Sequence, residues 1–323
     1  MKTVGIIGGS GYTGGELIRL LAQHPKLSIA FVYSTTRAGK PLTEAHPDLL
    51  GTLDMNFTGT VDPNVEVVFL CLGHGHSERF LAEHTFSDTT VIIDLGNDFR
   101  LKANRKWNDK DFVYGLPEFQ REAIQKAKAI ANPGCFATAI QLALLPLAKE
   151  GGLTNEIHIN ATTGSTGAGV GLSATSHFSW RNNNLSWYKP FTHQHLGEIE
   201  ETLRSLGTVN TLHFLPQRGA FTRGIFATAY TAFEGSLEEA YARYETYYAS
   251  HPFTQVSKTP LSLKQVVNSN FCFLHLHKHE NTLLITSIID NLIKGASGQA
   301  IQNLNLLMGW EEDLGLRLKA STF

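Results

Sequence analysis

Apolar and polar positions divide the chain into two textures. Up to about residue 131, short unbroken apolar runs alternate with stretches of helical spacing. Residues 3–7, 27–33, 65–72, 91–95 and 129–131 read as strands, and 65–72 and 91–95 as buried parallel strands. Between the first two, Leu17, Ile18, Leu20 and Leu21 fall on one side of a helix reaching about His24. This alternation predicts an N-terminal doubly wound parallel sheet. Beyond it, residues 136–145 are apolar on nearly all sides and predict a buried helix. Residues 157–163 alternate like a half-exposed strand. Further strand candidates at 212–215, 224–230, 271–278 and 283–289 surround a helix near 237–248, which predicts a mixed α+β second domain. Residues 295–308 close the pattern as a helix with Ala300, Leu304, Leu307 and Met308 on one face.

Composition narrows the function classes. A chain of 323 residues exceeds what one core usually serves, so two domains are expected. A formal charge of −2 gives no basic field for nucleic acid or an anionic membrane. No apolar run is long enough to span a bilayer, and strand-like residues 3–7 stand where a signal pattern would. Cys71, Cys135 and Cys272 lie far apart with no C-x-x-C pair. That argues against a disulfide scaffold or a zinc site and fits a reducing cytoplasm. Phe273, His275, His277 and His279 share one strand face, but a rise of about 6.6 Å between same-face neighbours suits no single metal.

Three stretches carry candidate chemistry. After the first strand, Gly9, Ser10, Gly11, Tyr12, Thr13 and Gly14 fit G-x-G-x-x-G opening a helix, the pattern that brings backbone N–H groups to a pyrophosphate. The second strand ends in Ser34, Thr35, Thr36, Arg37 and Lys40 without the carboxylate that NAD sites place there. Hydroxyls and two basic residues suit a 2′-phosphate, so the cofactor is expected to be NADP. Asn132-Pro133-Gly134-Cys135-Phe136 runs from a strand into the buried helix. A thiol at a helix start ionises more easily, so Cys135 reads either as a nucleophile or as a small core residue. A second glycine-rich loop, residues 164–171 with Ser165 and Gly167, forms an anion nest or a plain connection. Arg100, after the strand at 91–95, binds a phosphate or carboxylate, or sits in a surface ion pair.

The chain resembles the N-acetyl-gamma-glutamyl-phosphate reductases, relatives of aspartate-semialdehyde dehydrogenase. The resemblance rests on residues 8–17, 94–101, 114–118, 132–135, 164–169, 193–195, 223–225 and 290–300, in that order along nearly the whole chain. It departs where Leu196-Gly197-Glu198 lacks the family's proline, and where Gln217-Arg218-Gly219-Ala220-Phe221 replaces a His-Leu-x-Pro-Met run. The resemblance implies a Rossmann domain over 1–134 and 296–323 and a substrate-binding and dimerisation domain over 135–295. It also implies NADP, with Asn291 in the cofactor set, and a homo-oligomer, dimer or tetramer.

The chemistry that the resemblance implies is reductive dephosphorylation of an N-acyl-gamma-glutamyl phosphate, in arginine biosynthesis, through a Cys135 thioester. Small-molecule acyl phosphate and inorganic phosphate are the expected partners. His195, with His193 second, is the expected acid/base, since imidazole titrates near neutral pH. Arg223 and Arg100 are the expected holders of substrate carboxylate and phosphate. The competing readings are another phosphorylating semialdehyde dehydrogenase, on aspartyl or aminoadipyl substrates, and a non-catalytic NADP-binding redox sensor.

Overall fold

Residues 1–322 are described in the computed structural model. They divide into two compact units, 1–134 with 296–317, and 135–295 with the residues after Arg317. The expectation gave the whole tail to the first domain. Instead Ser321 donates its backbone N–H to the carbonyl of Val267 at 2.9 Å, within the second unit. The expected boundary at Phe323 lies outside the described residues.

The first unit holds strands β1 (Lys2–Ile7), β2 (Leu27–Tyr33), β3 (Val67–Leu70), β4 (Val91–Asp94), β5 (Lys106–Trp107), β6 (Lys110–Tyr114) and β7 (Ala129–Ala131). Helices α1 (Tyr12–Leu21), α2 (Ser77–Glu83) and α3 (Pro117–Gln125) connect them. The sheet order is β2-β1-β3-β4-β7-β6-β5. All pairs are parallel except the β5–β6 hairpin. The hairpin was not legible in the sequence, and α1 stops three residues short of His24. Val67, Val68, Phe69 and Leu70 are wholly buried, which explains why β3 reads as an unbroken apolar run.

Register aligns Ile7 with Leu70, Leu70 with Asp94, and Asp94 with Ala131. Four carboxyl ends therefore stand level, and the loops after them gather along one crest, where open α/β sheets bind ligands. A π turn over Ile293–Ser297 leads into the helix Gly298–Leu307, which starts three residues later than expected. Its Asn303 donates to the carbonyl of Gly115 at 2.8 Å and to Asn132 Oδ1 at 3.0 Å. A side chain at Gly115 would put its Cβ 2.4 Å from the Asn303 amide, so glycine is required there.

The second unit holds α4 (Cys135–Lys149), β8 (Ile157–Thr163), α5 (Phe178–Arg181), β9 (Ser186–Trp187), α6 (His195–Arg204), β10 (Leu212–Arg218) and β11 (Ile225–Ala232). It continues through α7 (Leu237–Tyr248), β12 (Thr254–Ser257), β13 (Cys272–His279) and β14 (Thr282–Ile289). The mixed sheet runs β12-β13-β14-β11-β8-β10-β9. Burial alternates along β8, β10 and β11, so one face packs on helices and the other is half-exposed. Helix α4 packs against β11, β14, α6 and α7, and thirteen of its side chains are buried. Pro146 inside it cannot donate to the carbonyl of Leu142. The Tyr248 hydroxyl donates to that carbonyl instead, at 2.5 Å. Among the described residues no helix is long and apolar enough to cross a membrane.

Candidate active site

At the first unit's crest, Gly8 turns the chain with φ +78°. A Cβ on Gly9 would strike Val32, and one on Gly14 would lie 2.7 Å from the Gly9 Cα, so both glycines are demanded by packing. Gly11 differs. Its φ is −84°, and a Cβ there would meet nothing nearer than the Gly8 carbonyl at 3.8 Å. Neither backbone nor neighbours require glycine at 11, which leaves close approach of something outside the chain as its use. Tyr12 and Thr13 begin α1, and Ser10 accepts a hydrogen bond from buried Ser34 at 3.3 Å. Ser34 Oγ also lies 3.4 Å from the Thr36 hydroxyl. A continuous row of hydroxyls thus joins the glycine loop to the end of β2, with Thr35 between them in sequence. Arg37 and Lys40 reach this edge, but both meet Glu44, at 3.8 and 3.2 Å. Glu44 lies past the stretch in which a carboxylate was sought.

The loops after β3 and β4 are tied by two acids. Asp98 accepts the backbone N–H groups of Gly75, Ser77 and Glu78 at 2.7, 2.7 and 3.0 Å, capping the first turn of α2. Asp94, wholly buried, accepts from Ser77 Oγ at 2.6 Å and from Gly96 N–H at 2.9 Å. Burial raises its carboxyl to about 6, against the opposing pull of those hydrogen bonds and of Arg100. Arg100 itself is buried, and donates to the carbonyls of Asn132 at 2.9 Å and Leu95 at 3.0 Å. Its guanidinium latches the crest loops rather than lying in a surface ion pair.

In the second unit Cys135 is the first residue of α4 and is partly exposed, while Phe136 is buried behind it. A Cβ on Gly295 would come within 2.8 Å of the Cys135 Cβ, so glycine lets the chain pass under the thiol. The Phe136 ring stands edge-on to His193 at 5.4 Å and to His195 at 6.2 Å, and the two imidazoles are 4.6 Å apart. Both histidines are buried. His193 Nδ1 accepts the backbone N–H of His195 at 3.2 Å, which leaves the neutral ring's proton on Nε2. His195 Nε2 lies 3.9 Å from the carboxylate of Glu198, one turn along α6 and also buried. The structure therefore assembles Cys135, His193 and His195 around Phe136, and adds Glu198.

The remaining nominated residues pack with one another. Arg223 grips buried Asp290 through Nε at 3.1 Å and Nη2 at 3.2 Å. Asp290 also accepts backbone N–H groups from Asn268, Leu292 and Ile293. Asn291 accepts from the Gly224 N–H at 2.7 Å and donates to the Thr166 hydroxyl at 3.0 Å. Ser165 donates its N–H to the Phe221 carbonyl, and Gly167 lies in the same 3-10 turn. Ser165, Gly167 and Asn291 thus belong to the second unit, whereas the residues of the glycine loop belong to the first. Sequence reasoning passed over Tyr188 and met Arg218 only within the departure at residues 217–221. The Arg218 guanidinium lies over the Tyr188 ring at 4.6 Å, and Tyr188 stands edge-on to His193 at 5.7 Å. Burial pushes the Tyr188 hydroxyl up to about 12, Arg218 draws it down, and the charge of Cys135 adds to the rise. An aromatic between two non-periodic polar stretches gave no local signal.

Comparison with known proteins matches this division. Residues 3–127 match the semialdehyde dehydrogenase NAD binding domain, and residues 135–291 match the semialdehyde dehydrogenase dimerisation domain. Aspartate semialdehyde dehydrogenase II from Vibrio cholerae shares the fold, with TM-score 0.70 at 16% identity over 96% of this chain and 99% of that one. The Candida albicans enzyme, solved with NADP, gives TM-score 0.67 at 16% identity over 95% and 98%. The class is thus a semialdehyde dehydrogenase, a nucleotide-binding sheet joined to a dimerisation sheet. The N-acetyl-gamma-glutamyl-phosphate reductase of Flavobacterium johnsoniae is 63% identical over the full length of both chains. That of Bacteroides thetaiotaomicron is 51% identical, also over the full length of both. The chain belongs to the N-acetyl-gamma-glutamyl-phosphate reductase family.

Proposed function

We propose that the protein reduces an N-acyl-gamma-glutamyl phosphate to the N-acyl-glutamate 5-semialdehyde, with Cys135 as covalent nucleophile and NADPH as reductant. The observation that carries this is the Cys135 cluster. A thiol heads a buried helix, and two imidazoles, one beside a carboxylate, pack on the residue behind it. The Cys135 thiolate attacks the acyl carbon, the C–O bond to phosphate breaks, and inorganic phosphate leaves a thioester. When bound, a reduced nicotinamide would supply the hydride that the acyl carbon takes up. Hydride addition gives a thiohemiacetal oxyanion that His195 protonates and then deprotonates, so that the C=O bond re-forms, the C–S bond breaks and Cys135 leaves as thiolate, with Glu198 orienting the His195 ring. His193 packs between Phe136 and Tyr188 and shapes the same cluster.

The first unit fits a dinucleotide. Gly11 leaves room for pyrophosphate, and residues 8–14 offer backbone N–H groups at the start of α1. Ser34, Thr35 and Arg37 would hold the ribose and its 2′-phosphate, which favours NADP over NAD. We assign to the cofactor Ser165 and Gly167, in the 3-10 turn whose Thr166 hydroxyl accepts from Asn291, together with Asn291 itself. The protein is read as a cytoplasmic homodimer of arginine biosynthesis, joined through the dimerisation domain. The reverse assay tests the reaction: N-acetyl-glutamate 5-semialdehyde, phosphate and NADP should yield NADPH, and omitting phosphate should stop it. Without phosphate, mass spectrometry should find the acyl group on Cys135. Turnover with no acyl adduct on that residue would refute the covalent route.

A further inference from the structure

Both arginines nominated for substrate anions have other engagements. Arg223 is forked onto Asp290, and Arg100 donates to two backbone carbonyls. A third arginine, Arg218, stands differently. It ends β10 on the face that carries Phe214, four residues earlier, whose ring contacts Phe136 at 5.3 Å and His193 at 5.6 Å. Its guanidinium covers the Tyr188 ring at 4.6 Å, and Tyr188 stands edge-on to His193 at 5.7 Å. Arg218 thus lies in the nucleophile's own cluster, inside one unit.

The local charge is uncompensated. Arg181 is 6% exposed, and donates to the Arg218 carbonyl at 2.6 Å, to the Thr175 carbonyl at 3.2 and 3.3 Å, and to Ser186 Oγ at 3.3 Å. Lost solvation and the neighbouring Arg218 charge pull it below the ordinary guanidinium range. Among the described residues no carboxylate pairs with either arginine at ion-pair distance, and Arg218 Nε is buried without a hydrogen-bond partner. Arg181 is buried and Arg218 half-buried with its Nε enclosed, so their charges favour a ligand that brings an anion. A guanidinium's planar fork matches a carboxylate.

We propose that Arg218, held by Arg181 and backed by Tyr188, receives a carboxylate of the substrate beside Cys135. The inference rests on the reaction proposed above. The carboxylate has two sources, the α-carboxylate of the glutamyl unit or an acid at the end of the N-acyl arm. Arg181 is a positioning residue, because its donors are engaged by carbonyls and a hydroxyl that fix the strand end.

The test is steady-state kinetics of wild type and Arg218→Met in the phosphate- and NADP-dependent direction. The substrates are glutamate 5-semialdehydes carrying N-acetyl, N-butanoyl or N-succinyl arms, the last two alike in length but unlike in charge. Losing a charge-assisted fork should raise KM by about ten- to a hundredfold while kcat moves little and NADP affinity holds. A rise for all three substrates assigns the α-carboxylate. A rise confined to the N-succinyl substrate, which wild type would then prefer to N-butanoyl, assigns the acyl arm. Unchanged KM for all three overturns the proposal. If wild type turns over none of them, the reaction proposed above fails instead. If Arg218→Met no longer binds NADP or melts early, Arg218→Lys carries the test, keeping charge but losing the fork. Its KM should lie above wild type, and equality would overturn the proposal.

Discussion

The glycine loop at the first sheet's crest and the thiol–histidine cluster of the second unit are built in opposite ways. The loop is local and made of backbone. Residues 8–14 come directly after one strand and open one helix, and the charged neighbours Arg37, Lys40 and Glu44 are solvent-exposed. The cluster is made of side chains from separate segments: Cys135 and Phe136, Tyr188, His193 and His195, Phe214 and Arg218. Its histidines and Phe136 are buried. A region of exposed single charges should be tuned in small steps, whereas a buried cluster should fail in large ones. Substitutions at the two places test that difference.

The largest effect belongs to Cys135. Cys135→Ala should abolish phosphate-dependent NADP reduction and leave the NADP dissociation constant unchanged. Cys71→Ala and Cys272→Ala, outside the cluster, should keep activity if folded. Full turnover by Cys135→Ala would remove the cluster's claim to the chemistry. Next comes His195→Asn, which should lower the chemical step on the order of a hundred- to ten-thousand-fold with little change in cofactor affinity, measured by single-turnover absorbance. If His193→Asn produces that loss and His195→Asn does not, the roles within the pair are exchanged.

A buried group at the crest sharpens the comparison, because its ionisation is coupled to folding. The Asp94 carboxyl is raised to about 6 in the fold, chiefly by burial. In the unfolded chain it titrates near 3.9. Between these values the folded chain binds the extra proton, so stability from this group falls as pH rises from about 4 to 6 and is flat above. The fall is roughly 2–3 kcal/mol. Urea midpoints of wild type and Asp94→Asn across that range should show a pH-dependent difference, since the variant lacks the slope. Parallel curves would show that Asp94 ionises as it does in the unfolded chain.

Legibility in the sequence divides along the same line. The parallel strands, α1 and the buried helix α4 were legible because each declares itself within ten to fifteen residues through periodicity and flanking glycine. The glycine loop was legible for that reason too. The β5–β6 hairpin was not, because Lys106-Trp107 and Lys110–Tyr114 are short, mixed in polarity and stabilised by the edge of a sheet formed elsewhere. Arg100 and Arg223 show the limit most plainly. Charge alone made them anion-binding candidates, and only the fold reveals carbonyls facing the first and Asp290 facing the second. Tyr188 and Arg218 reach the cluster through β9–β10 pairing, a tertiary event that no window of sequence contains.

The smallest effects lie at the exposed edge of the crest, where Glu44 competes for the residues assigned to the 2′-phosphate. Arg37→Ala should weaken NADP binding by about ten- to a hundredfold and leave NAD nearly unchanged, since the lost interaction is a charge-assisted hydrogen bond. Glu44 acts in the other direction. It lies 3.8 Å from Arg37 and 3.2 Å from Lys40, and all three side chains are more than a third exposed. Exposed pairs of this kind contribute at most about 1 kcal/mol and are screened by salt. Glu44→Gln should therefore release both cations and tighten NADP by no more than about fivefold. NAD affinity should stay fixed, and the gain should shrink in high salt. Paired titrations of NADP and NAD into Glu44→Gln at low and high ionic strength measure this. An equal gain for both cofactors would mean that Glu44 acts on the shared nucleotide core, and that the 2′-phosphate is not held at Arg37 and Lys40.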